Sequence, residues 1–304
     1  MIHRHVRAAA LVAALLGTSG VARAQDLEPR AYTNTPVGLN FLVVGYGYTS
    51  GGLATDPALP IEDAHLETHA ALLAYARSID VLGLSGKVDV ILPYAWLSGS
   101  ALVAGRPRER DISGFGDPRF RLSVNLYGAP ALSLEQFTQY EQDVIIGASV
   151  AVTPPLGQYE SDKLVNIGTN RWSVKPEIGI SKAFGRLTIE IVPGVVLYTE
   201  NGDFVGRTRE QDPLFSVQGH LIYALRSGIW AAFDATYYRG GTSTIDGTST
   251  DTLQESTRLG LTVALPINRY QSIKLYGSTS VSTRAGGGFD GAGAVWQLRW
   301  GGGL

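Results

Sequence analysis

The chain has no cysteine and a single methionine among its 304 residues. No disulfide can brace it, so an exported protein of this size must be held by backbone pairing and packing alone. Beyond the N-terminus it also lacks any apolar run long enough to cross a bilayer as a helix, which takes about 20 consecutive apolar residues. Charge is sparse and balanced, with 25 Lys and Arg against 27 Asp and Glu. The resulting net charge of -2 offers no basic surface for nucleic acid. A Gly-x-Ser-x-Gly elbow is missing, and Ser216 and His220 are too far apart along one extended strand to touch. No cofactor is expected.

Glycine is plentiful, at 37 residues. Residues 1–24 have the layout of a signal peptide: Arg4 and Arg7, an apolar core from Ala8 to Leu16, and Ala22-Arg23-Ala24 as a cleavage site. Residues 25–37, rich in turn formers, form either a periplasmic leader or a plug folded into an opening. From residue 38 to 300 the dominant pattern is period two. Between Arg119 and Tyr127, Phe120, Leu122, Val124 and Leu126 share one face, and Arg119, Arg121, Ser123 and Asn125 the other. About a dozen such stretches follow one another, with charges recurring mid-strand.

A packed core does not tolerate that many charges, whereas a polar lumen does. The connections alternate between long and short, apart from the one after Tyr127, which is long where a short one is expected. The reading is an all-β fold: a transmembrane antiparallel up-and-down β-barrel of about 12 strands in the outer membrane, with termini and short turns in the periplasm. Aromatics near strand ends (Tyr46, Tyr48, Tyr94, Trp96, Trp172, Tyr198, Trp230, Tyr237, Trp300) suit interfacial girdles and count against a soluble sandwich. The expected partners are outer-membrane lipid, the barrel-assembly machinery and small organic solutes. The oligomeric state is left open.

Four segments carry a family resemblance: YTNTPVGLNFLVVGY (Tyr32 to Tyr46), GFGDPRFRLSVNLYGAP (Gly114 to Pro130), TPPLGQY (Thr153 to Tyr159) and GTNRWSVKPEIGISKAFG (Gly168 to Gly185). Together they resemble a family of Gram-negative outer-membrane proteins assigned to transport in the meta-cleavage pathway of phenol degradation. The resemblance implies a barrel that passes aromatic, phenol-type solutes. It brings no catalytic or ligand residues to carry over.

Two sets of residues are candidates for lining the lumen and selecting solutes. His65, Glu67 and His69 share one face of a strand about 7 Å apart in succession. Two imidazoles and a carboxylate suit zinc, but without a fourth ligand a polar lumen stripe is the expectation, and no metal. The second set is Arg77, Lys87, Asp89, Arg119, Arg121, Lys175, Glu177, Glu190, Arg226, Asp234, Arg258, Lys274 and Arg299, joined by His220. Read as inward-facing, it has more bases than acids, which favours anions. The same charges could instead pair across strands and brace the wall. The functional expectation is a channel for small organic solutes. The alternatives are a structural or adhesive barrel acting through its loops and, behind it, an outer-membrane enzyme.

Overall fold

In a computed structural model of the chain, the described residues are 28–52, 61–103, 106–226, 228–249, 253–284 and 288–304. The proposed signal peptide lies outside them. The wall is built from β1 (Leu39–Gly52), β2 (Ile61–Val81), β3 (Leu84–Val103), β4 (Arg106–Phe115), β5 (Arg119–Tyr127), β6 (Val144–Thr153), β7 (Ser173–Phe184) and β8 (Leu187–Tyr198). After β9 (Asn201–Phe204) and β10 (Arg207–Gln211) it continues with β11 (Leu214–Ala224) and β12 (Trp230–Gly240). Following β13 (Ser243–Ile245) and β14 (Thr248–Ser249), it is completed by β15 (Gln254–Pro266), β16 (Gln271–Thr283) and β17 (Phe289–Gly301).

Each wall strand pairs antiparallel with its neighbours, and β1 meets β17 from Leu39↔Gly301 to Gly51↔Phe289, which closes the barrel. β4 and β5 are successive halves of one wall position: β4 pairs with the upper part of β3 and β5 with the lower. The wall therefore has twelve strand positions. Closure leaves no edge whose N–H and C=O groups would go unpaired in lipid.

The two faces separate by chemistry. Val44, Leu73, Leu92, Phe120, Leu122, Val150, Ile178, Ile191, Val217, Leu221, Phe233, Leu261 and Leu275 all point outward and are 43–57% exposed. A continuous apolar band of this kind is the surface of a protein solvated by hydrocarbon. Tyr94, Trp96 and Phe115 cluster on the outside toward the long-loop end, with ring centroids 4.7 and 5.1 Å apart. Tyr75 and Trp300 sit near the short-turn end, 6.3 Å apart. Two of the expected girdle aromatics face inward instead. Tyr198 lies under the Arg171 guanidinium, and Trp230 shares its face with Ala232 and Asp234.

Above the wall, the segment from Ser98 to Ser113, read as a polar connection, is a paired hairpin that lengthens β3 and β4. The polar loops after β8 and β12 also pair, giving a four-stranded sheet in the order β14-β13-β10-β9. At the short-turn end, the long connection after β5 holds a one-turn helix, α1 (Leu134–Phe137), with a Ser133/Gln136 capping box.

Candidate functional site: the occupied lumen

Residues 28–37 run inside the periplasmic mouth. Tyr32, 2% exposed, lies flat against Gly147 of β6 and Gly179 of β7, which are direct cross-strand partners. A methyl group on either glycine would overlap the Tyr32 ring. Two adjacent inward glycines thus leave a slot the width of an aromatic ring. The Tyr32 hydroxyl reaches Ser149 Oγ at 3.2 Å. The chain after it is tied down by Asn34 Nδ2 donating to Pro130 O at 3.2 Å and Val37 N donating to Leu132 O at 2.9 Å. Ser78 Oγ donates to Pro36 O at 2.6 Å and accepts from Leu39 N at 2.9 Å. The unusually long connection after β5 is accordingly the segment that holds the leader.

Most of the lumen charges next to Tyr32 are paired. Arg121 Nε donates to Asp89 Oδ2 at 2.9 Å, and its two terminal nitrogens bind the Glu28 carboxylate, one of them at 2.8 Å. Lys87 and Arg119 add to the positive field around Glu28. Lys175 Nζ meets Glu177 Oε1 at 2.7 Å, and Glu177 also accepts from Ser149 and Gln218, both at 3.3 Å. His220 Nδ1 and Asp234 Oδ1 are 2.6 Å apart, and Thr262 Oγ1 donates to Asp234 Oδ2 at 2.8 Å. Glu190 is fully buried. Among the groups enclosing this level are Glu28, Tyr32, Arg121, Glu177, Gln218 and His220, around a cavity of about 10 Å³, room for a single water. Nearer the outside, the Arg258 guanidinium lies 3.7 Å over the Phe289 ring and donates to Ser278 Oγ at 2.7 Å and Ser280 Oγ at 3.0 Å.

The opposite end is filled by the loop between β6 and β7. Its Val165 and Ile167 pack on the inward-facing Leu66, Leu97 and Ile112. Asp117, in the break between β4 and β5, pins both ends of this loop. Its carboxylate accepts from Gly157 N, Thr169 N and Thr169 Oγ1 at 2.8, 2.8 and 2.7 Å. Gly157 and Gly168 pack backbone to backbone, with 2.8 Å from a Cβ built on Gly168 to the Gly157 carbonyl carbon. Arg110 of β4 binds Glu160 at 3.0 Å. Burial pushes the Tyr159 hydroxyl above its ordinary pKa, an effect opposed by the Asn201 amide that donates to it.

Placement of the sequence candidates divides along the barrel axis. Lys87, Asp89, Arg119, Arg121, Lys175, Glu177, Glu190, His220, Asp234, Arg258, Lys274 and Arg299 all fall on the inward face. His65, Glu67 and His69 do not line the lumen. They face outward beside Tyr46, Tyr48 and Ser50, with His69 Nδ1 2.5 Å from Tyr46 Oη. At that height water bathes the outside as well as the inside, so polarity no longer marks the inner face. Arg77 also points outward, at the periplasmic rim beside Asn40, and Arg226 lies in the exposed turn after β11. Among the described residues, no group of three or more His, Cys, Asp or Glu is placed to hold a metal. Sequence reasoning missed Glu28, Tyr32 and Asp117. The signals available for them were the glycine pair opposite Tyr32 and the Gly-Asp-Pro break in an otherwise continuous strand.

An apolar exterior, a closed wall of twelve strands and an ionised interior define an outer-membrane-type β-barrel. The chain belongs to the family described as "Putative MetA-pathway of phenol degradation", which matches residues 45–298. Among solved structures it is similar to an outer membrane channel from Pseudomonas putida F1, at 23% identity and a TM-score of 0.78, covering 90% of this chain and 100% of that one. It is more distantly similar to the beta domain of the Bordetella autotransporter BrkA, at 8% identity and a TM-score of 0.50, covering 86% and 99%. At these identities the likeness is one of fold. No curated protein matches the chain in sequence.

Proposed function

We propose that the protein is an outer-membrane channel for small organic solutes and that residues 28–37 close it from the periplasmic side. The observation that carries the channel reading is the charged, strand-walled interior inside a lipid-facing barrel, which an anchoring role alone would not need. Closure is supported by Tyr32 and Glu28, which fill the mouth through side-chain contacts. The described leader residues, 28–37, join no sheet, so they can leave without opening the wall. Solute size follows from a wall of twelve strands, between the eight that side chains fill and the roughly 16 that leave an open aqueous channel. The aromatic class follows from the family. A preference for anions follows from the wall positions read from the sequence, where seven inward bases (Lys87, Arg119, Arg121, Lys175, Arg258, Lys274, Arg299) face four inward acids (Asp89, Glu177, Glu190, Asp234) once the leader and its Glu28 have withdrawn.

A structural or adhesive barrel is the second reading, favoured by the filled lumen and the additional sheet above the wall. Planar-bilayer recordings decide between them. The full chain should open briefly and rarely, and protein lacking residues 28–36 should show larger, longer openings that favour anions. If neither form conducts, the channel reading fails and the structural one stands.

A further inference from the structure

We propose that the periplasmic mouth contains a binding site for a small aromatic carboxylate, formed by Arg30, Arg186 and Arg226 around Trp230. These residues come from three separate segments: the leader, the β7–β8 turn and the β11–β12 turn. They line one cavity of about 480 Å³, whose remaining walls are Ala224, Leu225, Gly228, Ile229 and Trp230. A volume of that size suits a small organic ligand. Arg30 is held there by a left-handed backbone (φ 70°) and lies 5.6 Å over the Trp230 ring.

Among the described residues, no acidic side chain lines the cavity. Glu190, the acid that acts on Arg30, is fully buried in the wall and is not part of the lining. Cations brought together around one space repel unless an anion sits between them. Guanidinium groups are planar forks that match a carboxylate two bonds at a time. The indole and the Leu225 and Ile229 side chains supply the apolar surface that an aromatic ring needs and a bare phosphate does not. Trp230 points into the barrel, so the site faces the solute path. The leader's share in it has a further effect. Because Arg30 belongs to the leader, the site is complete only while the leader is seated, and a bound carboxylate stabilises the seated form by mass action.

This inference takes its ligand source from the channel reading and its geometry from the cavity alone, so its test avoids flux. Calorimetry on the full-length protein in detergent should show saturable benzoate binding and none for benzyl alcohol, its uncharged analogue. The double variant Arg186→Gln/Arg226→Gln should bind benzoate at least about ten-fold more weakly, since it removes charge-assisted bonds. Arg30→Gln should also weaken binding, whereas Arg77→Gln, on the outer wall, should not. Heat-modifiable gel migration verifies that each variant is a folded barrel. Undiminished benzoate binding by a folded double variant would overturn the proposal. So would inorganic phosphate competing as strongly as benzoate, which would make the site one for phosphates or lipid headgroups. Benzoate binding in a protein that never conducts would remove the channel reading and leave this site standing. Conductance without benzoate binding would remove the site alone.

Discussion

Tyr32 owes its place to what its neighbours lack. Gly147 and Gly179 have no side chains, and the ring occupies the space they leave. Gly179→Leu should therefore expel the leader while the wall stays paired. Bilayer recordings of this variant should resemble those of protein lacking residues 28–36, with heat-modifiable migration unchanged. Arg121 has a different role, because it holds Asp89 and Glu28 together on a side chain that is only 7% exposed. Arg121→Ala leaves two carboxylates in the lumen without their cation and should cost roughly 3 to 5 kcal/mol, read as a lower urea midpoint. The outward histidines give the opposite expectation. Replacing His65, Glu67 and His69 with alanine should leave ion selectivity within error of wild type, because none of them meets the permeation path. A selectivity change in that variant would put the stripe back in the lumen.

At the scale of elements, the loop between β6 and β7 is fixed mainly at its two ends. Asp117→Ala removes the carboxylate that accepts from three donors, each bond being worth about 1.5 to 3 kcal/mol when its acceptor is charged. Limited proteolysis should then cut between residues 154 and 172 much faster than in wild type, with the barrel core still resistant. The same elements show what could be read from the chain. β5 was legible residue by residue, because lipid and lumen make opposite demands on Phe120 and Arg121 and the alternation records both. β2 was misread along its length: the even-numbered residues taken for the lipid face, down to Ala74, turn inward, while Leu73, Tyr75 and Arg77 turn outward. Its upper end meets water outside and a loop inside, so Leu66 covers Ile167 within the lumen while His65 faces out, and polarity there does not mark the inner face. The short strands β9, β10, β13 and β14 form two small local hairpins, and what the chain did not disclose is the β10–β13 pairing that joins them across loops far apart in sequence. The leader read as a string of turn formers because its structure comes from the slot it enters rather than from its own preferences.

For the whole molecule, the lumen is occupied from both ends by segments held in unlike ways. The upper loop is pinned by hydrogen bonds to Asp117 and by an apolar cluster, and the leader by a ring in a slot, one ion-paired carboxylate and hydrogen bonds over residues 34–39. If the leader gates the channel, as proposed above, it can withdraw without disturbing the loop held by Asp117 at the other end. The leader also crosses the mouth as a chord. From its attachment at β1 it touches β6 and β7 through Tyr32, β5 through Glu28, and β12 through Arg30. A chord fastened at several points around a ring keeps the ring round, as a tie rod does. When the leader withdraws, the barrel loses that tie as well as its stopper, so the open form should be the more compliant tube, freer to flatten under the lateral pressure of the surrounding lipid.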